Sequence, residues 1–343
     1  LPLEIEKLID ISDPVYTFCE VMDHIDLSGY FVEKGYKTGR PRCDEQKLLK
    51  VILFAFMENG ICSLREIEKF CRTDIRYMYL LDEMKAPTFA TFGNLIRNEL
   101  TVSIEQIFTD INTYIFAKDH VDLQHTYIDG TKIEANANRY TWVWKKSCIK
   151  NRQKVFDKIS VLIDAMNQEV LGYLGIKLEK REEYAIDYVS ELLAMYKEGT
   201  GLDENSFVSG CGHRKSIQQK QYQELQGYLK RLKTYARHIE ICGNERNSYS
   251  KTDQDATFMR LKRDYMGNDQ LLPAYNLQAA ICDEYIAVID VKPYASDMEC
   301  FVPLMEKFNR TYGHYPKYPV ADAGYGSYNN YLYCEEHGME KYM

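Results

Sequence analysis

Two aspartates, Asp129 and Asp322, stand where a carboxylate is unusual. Asp129 lies inside the run Tyr-Ile-Asp-Gly-Thr-Lys-Ile-Glu-Ala-Asn-Ala-Asn, whose β-formers predict a strand that starts near residue 124. Asp322 ends a short apolar run and is followed by Ala-Gly-Tyr-Gly-Ser. A buried carboxylate in a strand is costly unless it is paired or bound to a metal ion. The alternative for Asp129 is a strand that ends early, at an Asp-Gly turn.

The two motifs occur in this order, with helical sequence before and between them. In this they resemble the DDE-type transposases of bacterial insertion sequences, and the similarity runs over nearly the whole chain. The resemblance implies a helical amino-terminal domain that binds DNA and a ribonuclease H-like catalytic domain. It also implies metal-dependent hydrolysis at the ends of the element, followed by attack of the freed 3′-hydroxyl on target DNA.

The predicted elements of the second half fit an α+β fold. The β-rich runs 275–282 and 285–292 predict a hairpin, and an amphipathic helix over 297–310 follows, which Asp297 is expected to cap. The strand that ends at Asp322, a helix capped by Ser327 and the start of a strand over 338–343 complete the order. With the preceding helical segment set aside, this order predicts a ribonuclease H-like mixed sheet in which the first and fourth strands are neighbours.

Such neighbours would bring Asp129 and Asp322 together as the catalytic pair. Two carboxylates repel each other unless a cation lies between them. Hard oxygen ligands favour Mg²⁺ or Mn²⁺, and two ions about 4 Å apart can activate the attacking oxygen and stabilise the leaving oxygen of a phosphodiester. Glu134 lies five residues after Asp129, on the opposite face of the strand, and is expected outside the site.

The third acid of the family, a Glu on a helix after the fifth strand, is expected beyond Met343. The chain also opens on Leu1 without a Met. The sequence therefore leaves two readings: most of a transposase that lacks its carboxyl-terminal end, or a catalytically inactive DNA-binding remnant. A third reading is a nuclease of the same fold that performs no strand transfer.

Residues 1–118 are predicted to be all helix. An apolar helix runs from Asp44 to Asn59 and stops at Gly60, and Ser63 with Glu66 forms a capping box that opens the next helix. Thr88 is expected to cap a third helix. Short helices with tight turns fit a helix-turn-helix-like DNA-binding domain, which the resemblance also implies, although a plain helical bundle explains the same periodicity.

Charge is distributed unevenly along the chain, whose net charge is −8. The segments 139–158 and 214–237 each hold seven Lys or Arg and one acid, which leaves −20 for the remaining residues. Two concentrated basic surfaces are suited to a polyanion such as double-stranded DNA, although solvated helix faces are the plainer explanation. The candidate DNA contacts are Arg97, Arg139, Trp142, Trp144, Lys145, Lys146, Lys150, Arg152, Arg214, Lys215, Lys230 and Arg231.

Aromatic residues alternate at positions 140, 142 and 144, next to two lysines. They could stack on unpaired bases, or they could form one buried face of a strand. The sequence from 147 to 250 is helical and polar, and a stripe of apolar residues from Ile217 to Ile239 predicts a long helix. This segment is interpreted as a helical insertion between the catalytic parts 119–146 and 251–343. Its Cys211, His213, His238 and Cys242 raise the question of a zinc site, although Cys-x-His is tighter than usual zinc spacings.

The composition is that of a globular protein, with 45% hydrophobic and 27% charged residues. No apolar run is long enough to span a membrane, and no signal peptide is evident, which predicts a cytoplasmic bacterial protein at the nucleoid. The ten cysteines are scattered singly, as reduced thiols would be. Analogy with the family implies a homodimer that brings two element ends together.

Overall fold

The computed structural model describes residues 5–31, 43–82, 84–210, 214–261, 267 and 269–343. The chain divides into two compact units. The first comprises Leu1–Thr126, Ile281–Ala287 and Asn309–Pro316, and the second comprises Tyr127–Ala280, Val288–Phe308 and Lys317–Met343. The described residues mix helices with a mixed sheet, so the α+β class is confirmed at this level.

Helices form the amino-terminal part of the first unit. In chain order they are α1 (Pro14–Asp23), α2 (Glu45–Asn59), α3 (Leu64–Thr73), α4 (Ile75–Leu81), α5 (Phe89–Leu95) and α6 (Thr101–Asp119), with a π-helical turn over Ile96–Leu100. Their core is apolar and includes Leu49, Phe54, Ile67, Phe92 and Ile107, all fully buried. The all-helix prediction for this part of the chain is confirmed over the described residues.

Local capping explains where these helices begin and end. The Asp44 carboxylate accepts hydrogen bonds from the backbone N–H groups of Gln46 and Lys47, and Gly60 ends α2 with a φ of 64°. Ser63 and Glu66 form both bonds of the predicted capping box at the start of α3. Thr88 is the N-cap of α5, but its side chain makes no capping hydrogen bond, so that part of the prediction is wrong.

The main sheet contains the strand of Asp129. Its strands are β1 (His125–Glu134), β4 (Thr257–Arg260), β5 (Leu271–Cys282), β6 (Tyr285–Lys292) and β7 (Tyr318–Ala321). Their order in the sheet is β4-β5-β1-β7, and β6 also pairs with β5. The two-residue turn Asp283–Glu284 joins β5 to β6, as predicted, and Asp283 adopts a φ of 51°.

Two helices complete this part of the chain. Helix α10 (Phe301–Tyr312) buries Phe301, Leu304, Met305 and Phe308, and α11 (Tyr328–Glu336) is capped by Ser327, whose hydroxyl accepts from the Asn330 N–H. The strand expected over 338–343 is reduced to one parallel bridge between Val320 and Tyr342.

A helical segment lies between two short strands, β2 (Trp142–Trp144) and β3 (Ser248–Ser250), which pair antiparallel. It consists of α7 (Lys145–Glu169), α8 (Ile186–Thr200) and α9 (Ile217–Cys242). These helices share a core that includes Ile159, Ile163, Val189, Tyr196 and Leu225. The long helix predicted from Ile217 is confirmed, whereas Ser248–Ser250 belong to a strand and not to the helical segment.

Candidate functional site

Asp129 lies in the middle of β1, because the strand continues through Asp129 and Gly130 to Glu134. The prediction of a strand is confirmed, and the alternative of an early end at an Asp-Gly turn is wrong. Side chains alternate along β1, so that Ile128 and Gly130 are buried while Asp129 is exposed. The Asp129 carboxylate accepts a hydrogen bond of 2.8 Å from the Gly130 N–H, which orients it.

Glu134 falls on the other side of β1, as its odd spacing from Asp129 predicts. It forms an ion pair with Arg139, with 3.3 Å between Glu134 Oε1 and an Arg139 guanidinium nitrogen. The structure therefore gives Glu134 a partner of its own away from the Asp129 face.

Asp322 directly follows β7, the neighbour of β1 in the sheet. Its Oδ1 accepts from the Gly324 N–H at 2.8 Å, and its carbonyl accepts from the Tyr325 N–H at 3.1 Å, so that it caps the short turn over Ala323–Tyr325. The side chain is exposed. Asp129 thus lies on β1 and Asp322 directly after the neighbouring strand, although the two residues are 193 positions apart in the sequence.

The buried Tyr325 has a hydroxyl whose pKa is affected by nearby carboxylates. Its ring is buried, with 1% exposed, and its hydroxyl donates a hydrogen bond to Gln278 Oε1 on β5. Burial raises the pKa of the Tyr325 hydroxyl most, and the carboxylates of Asp297, Asp129 and Asp322 raise this pKa further.

Asp297 does not cap a helix, so this expectation is wrong. The cap of its short helical turn is Ser296, and the Asp297 carboxylate instead accepts hydrogen bonds from two side chains of β5. Asn276 Nδ2 lies 2.7 Å and Gln278 Nε2 lies 3.2 Å from Asp297 Oδ1. Both amides are fully buried. Their positions carried a signal in the sequence, because the polar residues 276 and 278 share strand parity with Ala274, Ala280 and Cys282.

The donors at Asp129 and Asp322 fit Mg²⁺ or Mn²⁺ in kind, because both are hard carboxylate oxygens on exposed side chains. Backbone N–H groups orient both carboxylates. Among the described residues, no three His, Cys, Asp or Glu side chains are grouped closely enough to hold a metal ion.

Two of the four candidate zinc ligands, Cys211 and His213, lie outside the described residues. His238 accepts or donates a hydrogen bond at Nδ1 with the Tyr249 hydroxyl, 2.6 Å away, and Cys242 is buried beside Cys148 and Tyr249. Burial lowers the pKa of His238 most, and Lys251 and Arg237 lower it further. In the structure, His238 and Cys242 therefore join α9 to β3 through packing and a hydrogen bond.

The aromatic residues near β2 are mostly open to solvent. Tyr140 is 72% and Trp142 is 47% exposed, whereas Val143 points into the apolar cluster with Cys148. Trp142 lies nearly perpendicular to the Phe258 ring, with ring centroids 6.3 Å apart, and Trp144 lies tilted against the same ring, with centroids 6.4 Å apart. A wholly buried aromatic face is therefore wrong, and the alternation instead leaves the rings on the open side of β2.

Some of the basic residues predicted to contact DNA already interact with other groups of the protein, and others are exposed to solvent. Lys145 donates to the carbonyl of Gly243, 2.5 Å away, at the end of α9, and Arg97 donates to the Gly93 carbonyl at 3.2 Å. Arg152 and Arg231 lie over the rings of Phe156 and Tyr228. The remaining basic candidates are exposed: Lys146, Lys150, Arg214, Lys215 and Lys230. Of these, Lys215 donates a hydrogen bond to Gln223.

Exposed lysines recur every four residues along α7, at Lys146, Lys150, Lys154 and Lys158. A spacing of four residues places neighbouring side chains on adjacent turns of the same helix side. The apolar residues of α7, such as Ile159 and Ile163, face the core of the helical segment. The lysines thus form a row on the outer side of α7.

None of the helices in the described ranges is long and apolar enough to cross a membrane.

Comparisons with known proteins identify two regions of the chain. Residues 3–98 match the model of a transposase domain (DUF772), and residues 246–343 match the model of a transposase DDE domain. Together the two matches cover more than half of the chain. No curated protein and no solved structure matches the sequence. The carboxylates Asp322 and Asp297 and the amides of β5 lie within the second match, while Asp129 precedes it. The chain belongs to the DDE transposases of insertion sequences.

Proposed function

We propose that this transposase catalyses metal-dependent DNA strand cleavage and strand transfer, with Asp129 and Asp322 as its metal ligands. The observation that carries the proposal is the placement of two exposed carboxylates, Asp129 on β1 and Asp322 directly after the neighbouring strand β7. Both carboxylates also raise the pKa of the buried Tyr325 hydroxyl. The family matches support the same reaction class.

In this proposal the carboxylates of Asp129 and Asp322 would hold Mg²⁺ or Mn²⁺. The bound metal would activate the attacking oxygen and stabilise the leaving oxygen at a phosphodiester. The N–H groups of Gly130 and Gly324 orient the carboxylates of Asp129 and Asp322. These side chains would therefore lose less conformational freedom when a metal ion binds.

In this proposal, three regions of the chain have different roles. Residues 1–118 form a helix-turn-helix-like domain that recognises the element ends, and 119–146 with 251–343 form a ribonuclease H-like catalytic domain. Residues 147–250 form a helical insertion that adds DNA contacts. The capped helices α2 and α3, the neighbouring strands β1 and β7, and the three-helix core between β2 and β3 support this division.

The proposed DNA contacts are the exposed basic side chains of α7 and α9 together with the open aromatic side of β2. Lysines spaced by one helical turn can each meet a phosphate, and an exposed indole such as Trp142 can stack on an unpaired base. Two copies of the chain would hold the two element ends. Acting on chromosomal DNA, the protein would work in the bacterial cytoplasm at the nucleoid.

A cleavage assay with matched variants tests the metal proposal. The substrate is duplex DNA carrying an end of the insertion sequence, incubated with the purified chain and Mg²⁺. We expect Asp129→Asn and Asp322→Asn each to lower the cleavage rate by about 100-fold or more, because each removes an anionic metal ligand. Glu134→Gln, on the other face of the same strand, is the matched control and should retain the wild-type rate.

Equal cleavage by wild type and Asp129→Asn would overturn the proposed metal site. DNA binding by the wild type without any Mg²⁺-dependent cleavage would instead indicate a DNA-binding protein without catalysis. Thermal denaturation of each variant establishes that the substitutions leave the chain folded.

A further inference from the structure

Gly130 leaves a space on the buried face of β1, directly beside Asp129. A Cβ atom at this position would collide with Gln278 Nε2 and would lie 2.9 Å from the Tyr325 hydroxyl oxygen. The absence of a side chain therefore lets a residue of the turn after β7 and a residue of β5 meet against the backbone of β1. Gly130 directly follows Asp129 in the sequence, and Tyr325 lies three residues after Asp322.

Tyr325 is held at several points. Its hydroxyl donates to Gln278 Oε1, and its carbonyl accepts from Asn330 Nδ2 at 2.8 Å. The same amide nitrogen donates to the Met298 carbonyl at 2.9 Å, next to Asp297. Tyr325 also donates its own N–H to the Asp322 carbonyl. The turn that carries Asp322 is thus attached to β5 through the ring and to α11 through the backbone.

The Gln278 amide is oriented by its neighbours. Its Nε2 donates to Asn276 Oδ1 at 2.9 Å and to Asp297 Oδ1 at 3.2 Å, while Asn276 Nδ2 donates to Asp297 Oδ1 at 2.7 Å. An ionised carboxylate can only accept hydrogen bonds, so both amide nitrogens point towards Asp297. The Gln278 oxygen is then the end of the amide that faces the Tyr325 hydroxyl.

The backbone of the Asp322 turn, residues 322–326, is intrinsically flexible. Two of its five residues, Gly324 and Gly326, are glycines, which restrict the backbone least. Asn276, Gln278 and Tyr325 are all buried, so a hydroxyl that lost its acceptor there would leave a costly unpaired polar atom. The hydrogen bonds of the buried network are therefore well suited to select one conformation of the turn.

We propose that Tyr325 is a positioning residue, which sets the place of Asp322 relative to Asp129 through its hydrogen bond to Gln278 against Gly130. This inference rests on the proposed function, because it concerns the carboxylates assigned there to the metal. Tyr325 acts through Asp322 and contacts neither DNA nor the metal. Asp297 is the acceptor that orients the network from the buried side of the sheet.

Mn²⁺ affinity, measured on the full chain by electron paramagnetic resonance of the free ion, tests the proposal without relying on turnover. Tyr325→Phe removes only the hydroxyl, and we expect it to weaken Mn²⁺ binding by about 10-fold. Tyr328→Phe is the matched control, because Tyr328 lies at the start of α11 and is 79% exposed. It should bind Mn²⁺ as the wild type does.

A second variant separates positioning from a general loss of stability. Gln278→Met removes the acceptor of the Tyr325 hydroxyl together with the two hydrogen bonds that Gln278 Nε2 donates to Asn276 and Asp297. The double variant with Tyr325→Phe should therefore bind Mn²⁺ about as weakly as Gln278→Met alone, because the acceptor of the hydroxyl is already gone. Additive losses would overturn the role of this hydrogen bond. If Tyr325→Phe is unfolded at the assay temperature, Gln278→Met alone decides, and wild-type affinity in it rejects the proposal.

Asp129→Asn distinguishes this inference from the proposed function. If Asp129→Asn and the wild type bind Mn²⁺ equally, the metal site itself is wrong and the positioning role falls with it. If Asp129→Asn loses binding but Tyr325→Phe retains it, the metal site stands and only the positioning role is overturned.

Discussion

Gly130 shows how one absent side chain can make room for a buried hydrogen bond between two other segments. An alanine Cβ there would meet the Gln278 amide and the Tyr325 hydroxyl at less than ordinary contact distance. We expect Gly130→Ala to lower the free energy of unfolding by about 1–3 kcal/mol, as overpacking of a buried site does. Urea denaturation measures the change. Gly227→Ala on α9 is the control, because a Cβ there meets nothing within 4 Å and should stabilise the helix by about 0.5–1 kcal/mol.

An unchanged or raised urea midpoint in Gly130→Ala would contradict the close approach of Tyr325 and Gln278 to β1. A lowered midpoint in Gly227→Ala would show that the space around the added Cβ atom does not explain the difference in stability between the two variants.

Single residues were predictable where a local motif carried them. Asp129 stood out because a carboxylate interrupted a run of β-formers, and Asp322 because a glycine-rich turn followed it. Asp297 was misassigned as a cap, since its partners Asn276 and Gln278 lie on another strand. Tyr325 was not predicted either, because its partner Gln278 also lies on another strand. Hydrogen bonds between distant segments depend on the fold and leave only a weak trace in the sequence, here two polar residues of one parity in β5.

At the scale of elements, helices were easier to predict than short strands. The caps at Asp44, Ser63 and Ser327 act within a few residues, so the sequence contains the whole interaction. Strands β3 and β4 have three and four residues, and each depends on a partner elsewhere in the chain. Their stability comes from pairing with β2 and β5, which periodicity alone does not reveal.

The contact between α9 and β3 should depend on pH through His238. Its pKa lies below the ordinary 6.5 in the folded chain, chiefly through burial, so the unfolded chain takes up a proton first as the pH falls. The stability from neutral His238 is complete above about pH 6.5 and is lost as the pH falls towards the lower, folded pKa. We expect His238→Gln to reduce the loss of stability between about pH 7.5 and pH 5, measured by urea denaturation at each pH.

His120→Asn is the control for this measurement, because His120 is exposed at the end of α6 with a φ of 55°, a conformation that asparagine tolerates. It should leave the pH dependence as in the wild type. An unchanged pH dependence in His238→Gln would assign the effect to other groups.

On the scale of the whole molecule, the sequence predicted the order of elements better than their boundaries. The helical amino-terminal part, the long helix from Ile217 and the hairpin at Asp283 are confirmed. The ribonuclease H-like arrangement and the domain boundaries stay predictions. Charge is a property of the same scale: a net charge of −8 conceals two basic segments, and the structure exposes much of their positive charge along α7 and α9.

The lysine row of α7 should determine how DNA binding responds to salt. If Lys146 and Lys150 each meet a phosphate, Lys146→Gln with Lys150→Gln should make the slope of log affinity against log salt concentration shallower by roughly 2, because fewer counterions are released on binding. Fluorescence anisotropy with labelled duplex DNA at several salt concentrations measures the slope. The control is Lys177→Gln with Lys180→Gln, which removes the same charge from exposed lysines outside the two basic segments. Equal changes in both pairs would mean that net charge, and not the α7 surface, governs binding.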